Sequence, residues 1–126
     1  MNTDSRPIDF GLTRLRLPLP GWVSILHRIS GVLLFLALPL GVWALSTSLV
    51  SEAGFQAMRD CVQHPLVKLL AVALAWGFAH HFFAGLRHLA MDAHIGTNLK
   101  TARTSSIVVL LLSGLATLGF ARWLLT

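Results

Sequence analysis

Three apolar stretches, each long enough to cross a bilayer and each bounded by polar turns, constrain this chain more than any other feature. A membrane-crossing helix needs about 20 mostly apolar residues. The first stretch covers residues 22–50, the second 65–92 and the third 105–125. Composition agrees, because 126 residues that are 55% hydrophobic and only 12% charged cannot cover a water-soluble domain with polar side chains. The expected architecture is therefore all-α: a single domain over residues 1–126 that is an integral membrane protein with three transmembrane helices. Pro65 suits the first turn of the second helix, while Pro39 lies inside the first, where it is expected to produce a kink that membrane helices tolerate. No repeat of 20–50 residues and no low-complexity tract interrupts this layout. The stretch LTRLRLPLP before the first span alternates in a way that suits an extended or interfacial segment.

The formal net charge of +5 could suggest a nucleic-acid partner, but the charges are placed for a membrane. Arg6, Arg14, Arg16 and Arg28 precede or open the first apolar block, and Arg87, Lys100 and Arg103 surround the second turn. Flanking cations of this kind set topology and meet phospholipid headgroups. Arg59, Lys68 and Arg122 lie on the opposite side, so the excess places the N-terminus in the cytoplasm and the C-terminus outside. Pro18, Pro20 and Gly21 before the apolar run, with no small-residue cleavage site, do not make a signal peptide, and Asp4 and Asp9 do not suit a transit peptide. The first helix is thus expected to remain in the mature protein, and a bacterial cytoplasmic (inner) membrane fits best. Cys61 is the single cysteine, which excludes an internal disulfide and leaves no cysteine-based metal site.

Ionisable side chains are costly within membrane helices and usually face a protein interior or a cofactor. Two sets occur here. Ser24, His27, Arg28 and Gly31 follow i, i+3, i+4, i+7 spacing and share one helix face. For Arg28 alone, snorkelling to the headgroups is the simpler explanation, but the serine and histidine beside it make a coherent polar face. Gly77, His81, Gly85, His88 and Asp92 form the second set, again along one face. Glycines one turn to either side of His81 would let a flat macrocycle approach the backbone, whereas a lone membrane histidine is more often an interhelical hydrogen-bond donor. His80 points about 100° away and suits packing. His64 and His94 are expected in solvated turns.

His81 and His88 lie about 10.5 Å apart along the helix axis, so they cannot bind one iron from opposite faces. If His81 is an axial ligand, the second comes from another helix, in this chain or in a partner. His81 also falls roughly 24 Å along the second helix, at the same end as the serine–histidine–arginine face of the first. Both sets can therefore meet in one pocket.

Two motifs in these regions resemble the cytochrome b subunits of succinate dehydrogenase. One is Arg6-Pro7-Ile8, Leu12, Leu19 and Ser24-Ile25-Leu26-His27-Arg28-Ile29-Ser30-Gly31; the other is His81-Phe82-Phe83-Ala84-Gly85-Leu86-Arg87-His88-Leu89-Ala90-Met91-Asp92. The resemblance extends over nearly the whole chain. It implies a larger membrane-anchor bundle in which His81 is an axial haem b ligand and a second membrane-anchor subunit supplies the other. It further implies that Ser24 and Arg28 line a ubiquinone site, and that His27, Arg28 and His88 lie near the haem propionates. An iron–sulfur subunit and a flavoprotein subunit would carry the remaining chemistry, since the chain has no flavin motif and no cysteine set of its own. Two positions depart from the family pattern: Asp9-Phe10-Gly11 replaces a proline–histidine segment, and His94 stands where a small residue is usual. A fumarate reductase anchor running the reverse reaction is the alternative within this class; a cofactor-free assembly or transport subunit is the alternative outside it.

Overall fold

The computed structural model describes residues 17–126. The Arg6-Pro7-Ile8 part of the first motif, Asp4, Asp9 and most of the LTRLRLPLP segment lie outside the described residues. Four helices follow in chain order: α1 (Leu19–Val50), α2 (Glu52–Gln63), α3 (Pro65–Asp92) and α4 (Leu99–Leu125). Three of them, α1, α3 and α4, are long and apolar enough to cross a membrane, as the sequence predicts.

The observed boundaries differ from the expected ones where capping, rather than apolarity, decides. Pro18 occupies the cap of α1 and Pro20 falls in its first turn, so the helix begins at Leu19 and not at residue 22. A proline costs nothing there, since the first-turn N–H groups have no helical acceptor. It then continues without a break through Pro39. Asn98 Oδ1 accepts from Thr101 N at 2.8 Å and starts α4 at Leu99, well before the apolar run that opens near residue 105. The helix α2 was not expected. Its signal is short: Ser51 Oγ accepts from Gly54 N at 3.0 Å, Glu52 sits in the first turn, and Gln56 Nε2 donates to Glu52 Oε1 at 2.8 Å.

Between α3 and α4 the chain turns through a Schellman arrangement. Ile95 N donates to Ala90 O and His94 N to Met91 O, both at 2.9 Å, with His94 at φ 61° and Gly96 at φ 72°. The residue that reverses such a turn is usually glycine, because a Cβ is strained in the left-handed region. This is the physical meaning of the departure at His94.

The packing inverts that of a water-soluble domain. Phe35, Leu40 and Leu118 are 74%, 67% and 68% exposed, while Ser30, His80, Arg87, Ser106 and Ser113 are buried. Helices in lipid gain nothing by hiding leucine from acyl chains; close approach through small residues and interhelical hydrogen bonds holds them together instead. Accordingly α3 lies between α1 and α4, and the three meet at Val23, Ala84 and Val109. Ser106 and Ser113 return their hydroxyls to Ala102 O and Val109 O of their own helix, so they bring small volume to the contact without an unsatisfied polar group.

The strained turn supplies a direct check. His94→Gly should raise the thermal midpoint, because a non-glycine residue in the left-handed region costs roughly 1–2 kcal/mol. A β-branched replacement, His94→Val, should lower it. Equal midpoints for the two variants would mean that His94 is unstrained.

Candidate functional site

The polar residues of α1 and α3 converge where those helices cross. His81 Nδ1 lies 3.1 Å from the carbonyl oxygen of His27 and 3.3 Å from Ser30 Oγ. Ser30 Oγ itself donates to the same carbonyl at 2.9 Å. A carbonyl oxygen only accepts, so the shared acceptor places the imidazole proton on Nδ1 and leaves a lone pair on Nε2. A histidine whose Nδ1–H is held by a backbone carbonyl is oriented to ligate through its other nitrogen.

Aromatic stacking completes the arrangement. The His27 ring lies parallel to that of His81, with centroids 4.2 Å apart and planes 8° from parallel. His88 meets His27 at 5.0 Å and a tilt of 52°. Three imidazoles from two helices thus form one column. They sit close because Gly31 presents no side chain: a Cβ there would fall 2.9 Å from His81 Cε1. Gly85 admits His27 in turn, with Nε2 3.5 Å from where its Cβ would be. Gly77, one turn before His81, is buried and has open space at its missing Cβ.

The face read from α1 is divided by the structure. His27 and Gly31 turn toward α3. Arg28 is exposed beside a surface recess of about 270 Å³ that it shares with Ile29, Val32 and Leu33. Ser24 is half-buried. The hydroxyls of Ser30, Ser48, Ser105, Ser106 and Ser113 all bond to carbonyls of their own helix, but that of Ser24 has no such bond among the described residues. Ser30 is the residue that sequence reasoning passed over. Its signal was its position three residues after His27, from which a serine hydroxyl reaches back to the His27 carbonyl.

His80 has the packing role expected of it. The ring is fully buried, stacks on Trp76 at 5.2 Å and contacts the Val23 carbonyl through Nε2 at 3.4 Å. By the same acceptor argument its proton sits on Nε2, the opposite tautomer to His81, and its Nδ1 has no partner among the described residues. Arg87 turns away from the histidines into the α3–α4 seam, where Nε donates to Ser105 Oγ at 3.0 Å. His64 caps α3 by accepting from Leu66 N at 3.3 Å.

Among the described residues, no three His, Cys, Asp or Glu side chains are placed to hold a metal ion together. The fold and the site therefore define a multi-pass membrane subunit whose polar column lies between its first and second spans and offers one oriented imidazole.

Comparison with known proteins identifies the class further. The family described as succinate dehydrogenase/fumarate reductase transmembrane subunit matches residues 2–120, and the chain belongs to it. A succinate dehydrogenase cytochrome b556 subunit of Coxiella burnetii is 32% identical over 120 residues, covering 94% of this chain and 96% of the relative. The b556 subunit of Paracoccus denitrificans is 33% identical over 106 residues, covering 84% and 82%. A mitochondrial cytochrome b560 subunit of Sus scrofa is 29% identical over 119 residues, covering 93% and 70%. This protein is accordingly a subunit of a succinate dehydrogenase/fumarate reductase complex and works with partner subunits.

The close approach at Gly31 can be tested by substitution. Gly31→Ala should destabilise the assembled complex by about 1–3 kcal/mol, the usual cost of overpacking, since the new methyl meets the His81 ring. Gly114→Ala, where a Cβ meets nothing within 4 Å, should leave it unchanged. Matching melting curves for the two variants would remove Gly31 as the spacer.

Proposed function

We propose that this chain supplies one axial ligand, His81, to a haem b shared with a second membrane-anchor subunit, and part of a site at which ubiquinone is reduced with electrons from succinate. The observation that carries the reading is the Nδ1 contact of His81 with the His27 carbonyl, which leaves Nε2 as the nitrogen able to bind iron. The residues fit such a group: the imidazole is oriented, Gly77 leaves space beside it, and only one ligand is offered. The relatives' naming as cytochromes b points the same way. Held by His81 and by a histidine of the second anchor subunit, haem would supply electron transfer rather than oxygen chemistry.

The chain's own residues then have distinct tasks. Ser30 and the His27 carbonyl fix the His81 ring and its tautomer. His27 covers one face of that ring, and with His88 provides donors for the haem propionates. Ser24, with its hydroxyl uncommitted, and Arg28, with its guanidinium exposed, are available to a quinone headgroup. As the quinone takes up electrons, charge grows on its carbonyl oxygens, and a hydroxyl and a cation beside them stabilise it. Arginine suits this because it stays charged in a partly apolar setting. Arg28 also snorkels readily, which places the headgroup near the interface. Succinate oxidation, flavin and iron–sulfur chemistry belong to soluble partners, docked on the cytoplasmic side of a bacterial inner membrane by the distribution of lysine and arginine.

Two substitutions in the assembled complex separate these roles. His81→Ala should abolish the reduced-minus-oxidised haem b spectrum or shift it; an unaltered spectrum would remove His81 as ligand. Arg28→Leu should lower quinone reduction roughly tenfold or more, the scale of one charge-assisted hydrogen bond. Succinate oxidation with a soluble dye acceptor should be preserved. Loss of both activities together would assign Arg28 to assembly.

A further inference from the structure

The seam between α3 and α4 contains a second polar feature that the haem and quinone reading does not use. Arg87 is only 7% exposed, yet among the described residues its hydrogen bonds go to neutral oxygens: Ser105 Oγ at 3.0 Å and Ala102 O at 3.5 Å. A guanidinium carries five N–H donors, and a cation this buried calls for a counter-charge. It lines a groove of about 470 Å³. Its polar side chains, Thr101, Thr104 and Ser105 beside Arg87, all lie toward the α3–α4 turn among apolar neighbours such as Met91 and Ile95, and beyond them the lining is apolar, at Phe83, Val108 and Leu112.

We propose that this groove binds one anionic phospholipid, its phosphate on Arg87 and an acyl chain along Phe83, Val108 and Leu112. Polar groups confined to the end near the turn, with a wholly apolar lane beyond, match the order of groups in a lipid. From Thr101 to Leu112 the groove follows α4 for about 16 Å, a length that suits an acyl chain entering from the headgroup layer. Arg87 lies about 7.5 Å before the end of α3, at headgroup depth, and the exposed Lys100 and Arg103 add positive charge at the same rim. Neighbouring cations favour an anionic over a zwitterionic headgroup. A partner helix would match the apolar lane but would meet the guanidinium's charge only by carrying a carboxylate at that depth, which is costly in a membrane helix. The inference is independent of the haem and quinone reading, since none of these residues belongs to the histidine column.

The test uses the complete complex, purified in mild detergent, stripped of lipid and titrated with phosphatidylglycerol or phosphatidylcholine under native mass spectrometry. One phosphatidylglycerol should be retained per copy of this chain, with phosphatidylcholine at least about tenfold weaker, the factor that one charge-assisted hydrogen bond supplies. Arg87→Gln should reduce phosphatidylglycerol to the phosphatidylcholine level. Leu112→Trp, which fills the apolar lane without touching Arg87, should weaken both lipids while the complex stays intact. The Leu112→Trp result decides the matter if Arg87→Gln does not assemble. Equal binding of the two lipids by the unaltered complex, retention unaffected by Leu112→Trp, or displacement of the lipid by ubiquinone would each overturn the proposal.

Discussion

The hydrogen bond between His81 Nδ1 and the His27 carbonyl joins two helices at one atom pair, and much of the site follows from it. It sets the tautomer of His81 and decides which nitrogen remains available. Ser30 reinforces it by donating to the same oxygen, and Gly31 makes the geometry possible. Interhelical hydrogen bonds in membranes are worth only about 0.6–2 kcal/mol each. Its importance is therefore directional more than energetic: an imidazole free to rotate would present either nitrogen.

The adjacent histidines show how one helix separates two roles. His80 and His81 are sequence neighbours, so they project about 100° apart. One is enclosed against Trp76 and the Val23 carbonyl; the other meets Ser30 and the His27 backbone. Opposite tautomers result from which ring nitrogen each neighbouring carbonyl meets. The cluster of His27, His81 and His88 depends on the same division, because α3 must turn His81 and His88 to one side while burying His80 on another.

Much of this was legible in the sequence, and the limits were physical. Apolar length identifies a membrane span because the bilayer's thickness is fixed, so α1, α3 and α4 were evident. Helical periodicity put His27 and Gly31 on one face, and His81 and Gly85 on another. Periodicity alone does not say which part of a face meets a neighbouring helix, so Arg28 was grouped with residues from which it turns away, and Ser30 was overlooked. Flanking charges announced topology, but nothing in the spacing of Arg87 indicated that it would fold back against Ser105. The helix α2 and the early start of α4 rest on the single caps Ser51 and Asn98, too small a signal to stand out beside long apolar runs. His94 was noticed as unusual; only the backbone explained why.

The exposed belt of leucine, valine and phenylalanine has an evolutionary consequence. Where that belt meets hydrocarbon and not a partner subunit, it demands apolarity, not a particular side chain, so its residues can exchange for one another with little effect on the fold. Selection for detail then concentrates at the crossing points, where a single methyl group on Gly31 would collide with a ring. A chain organised in this way can drift far in overall similarity while keeping its architecture.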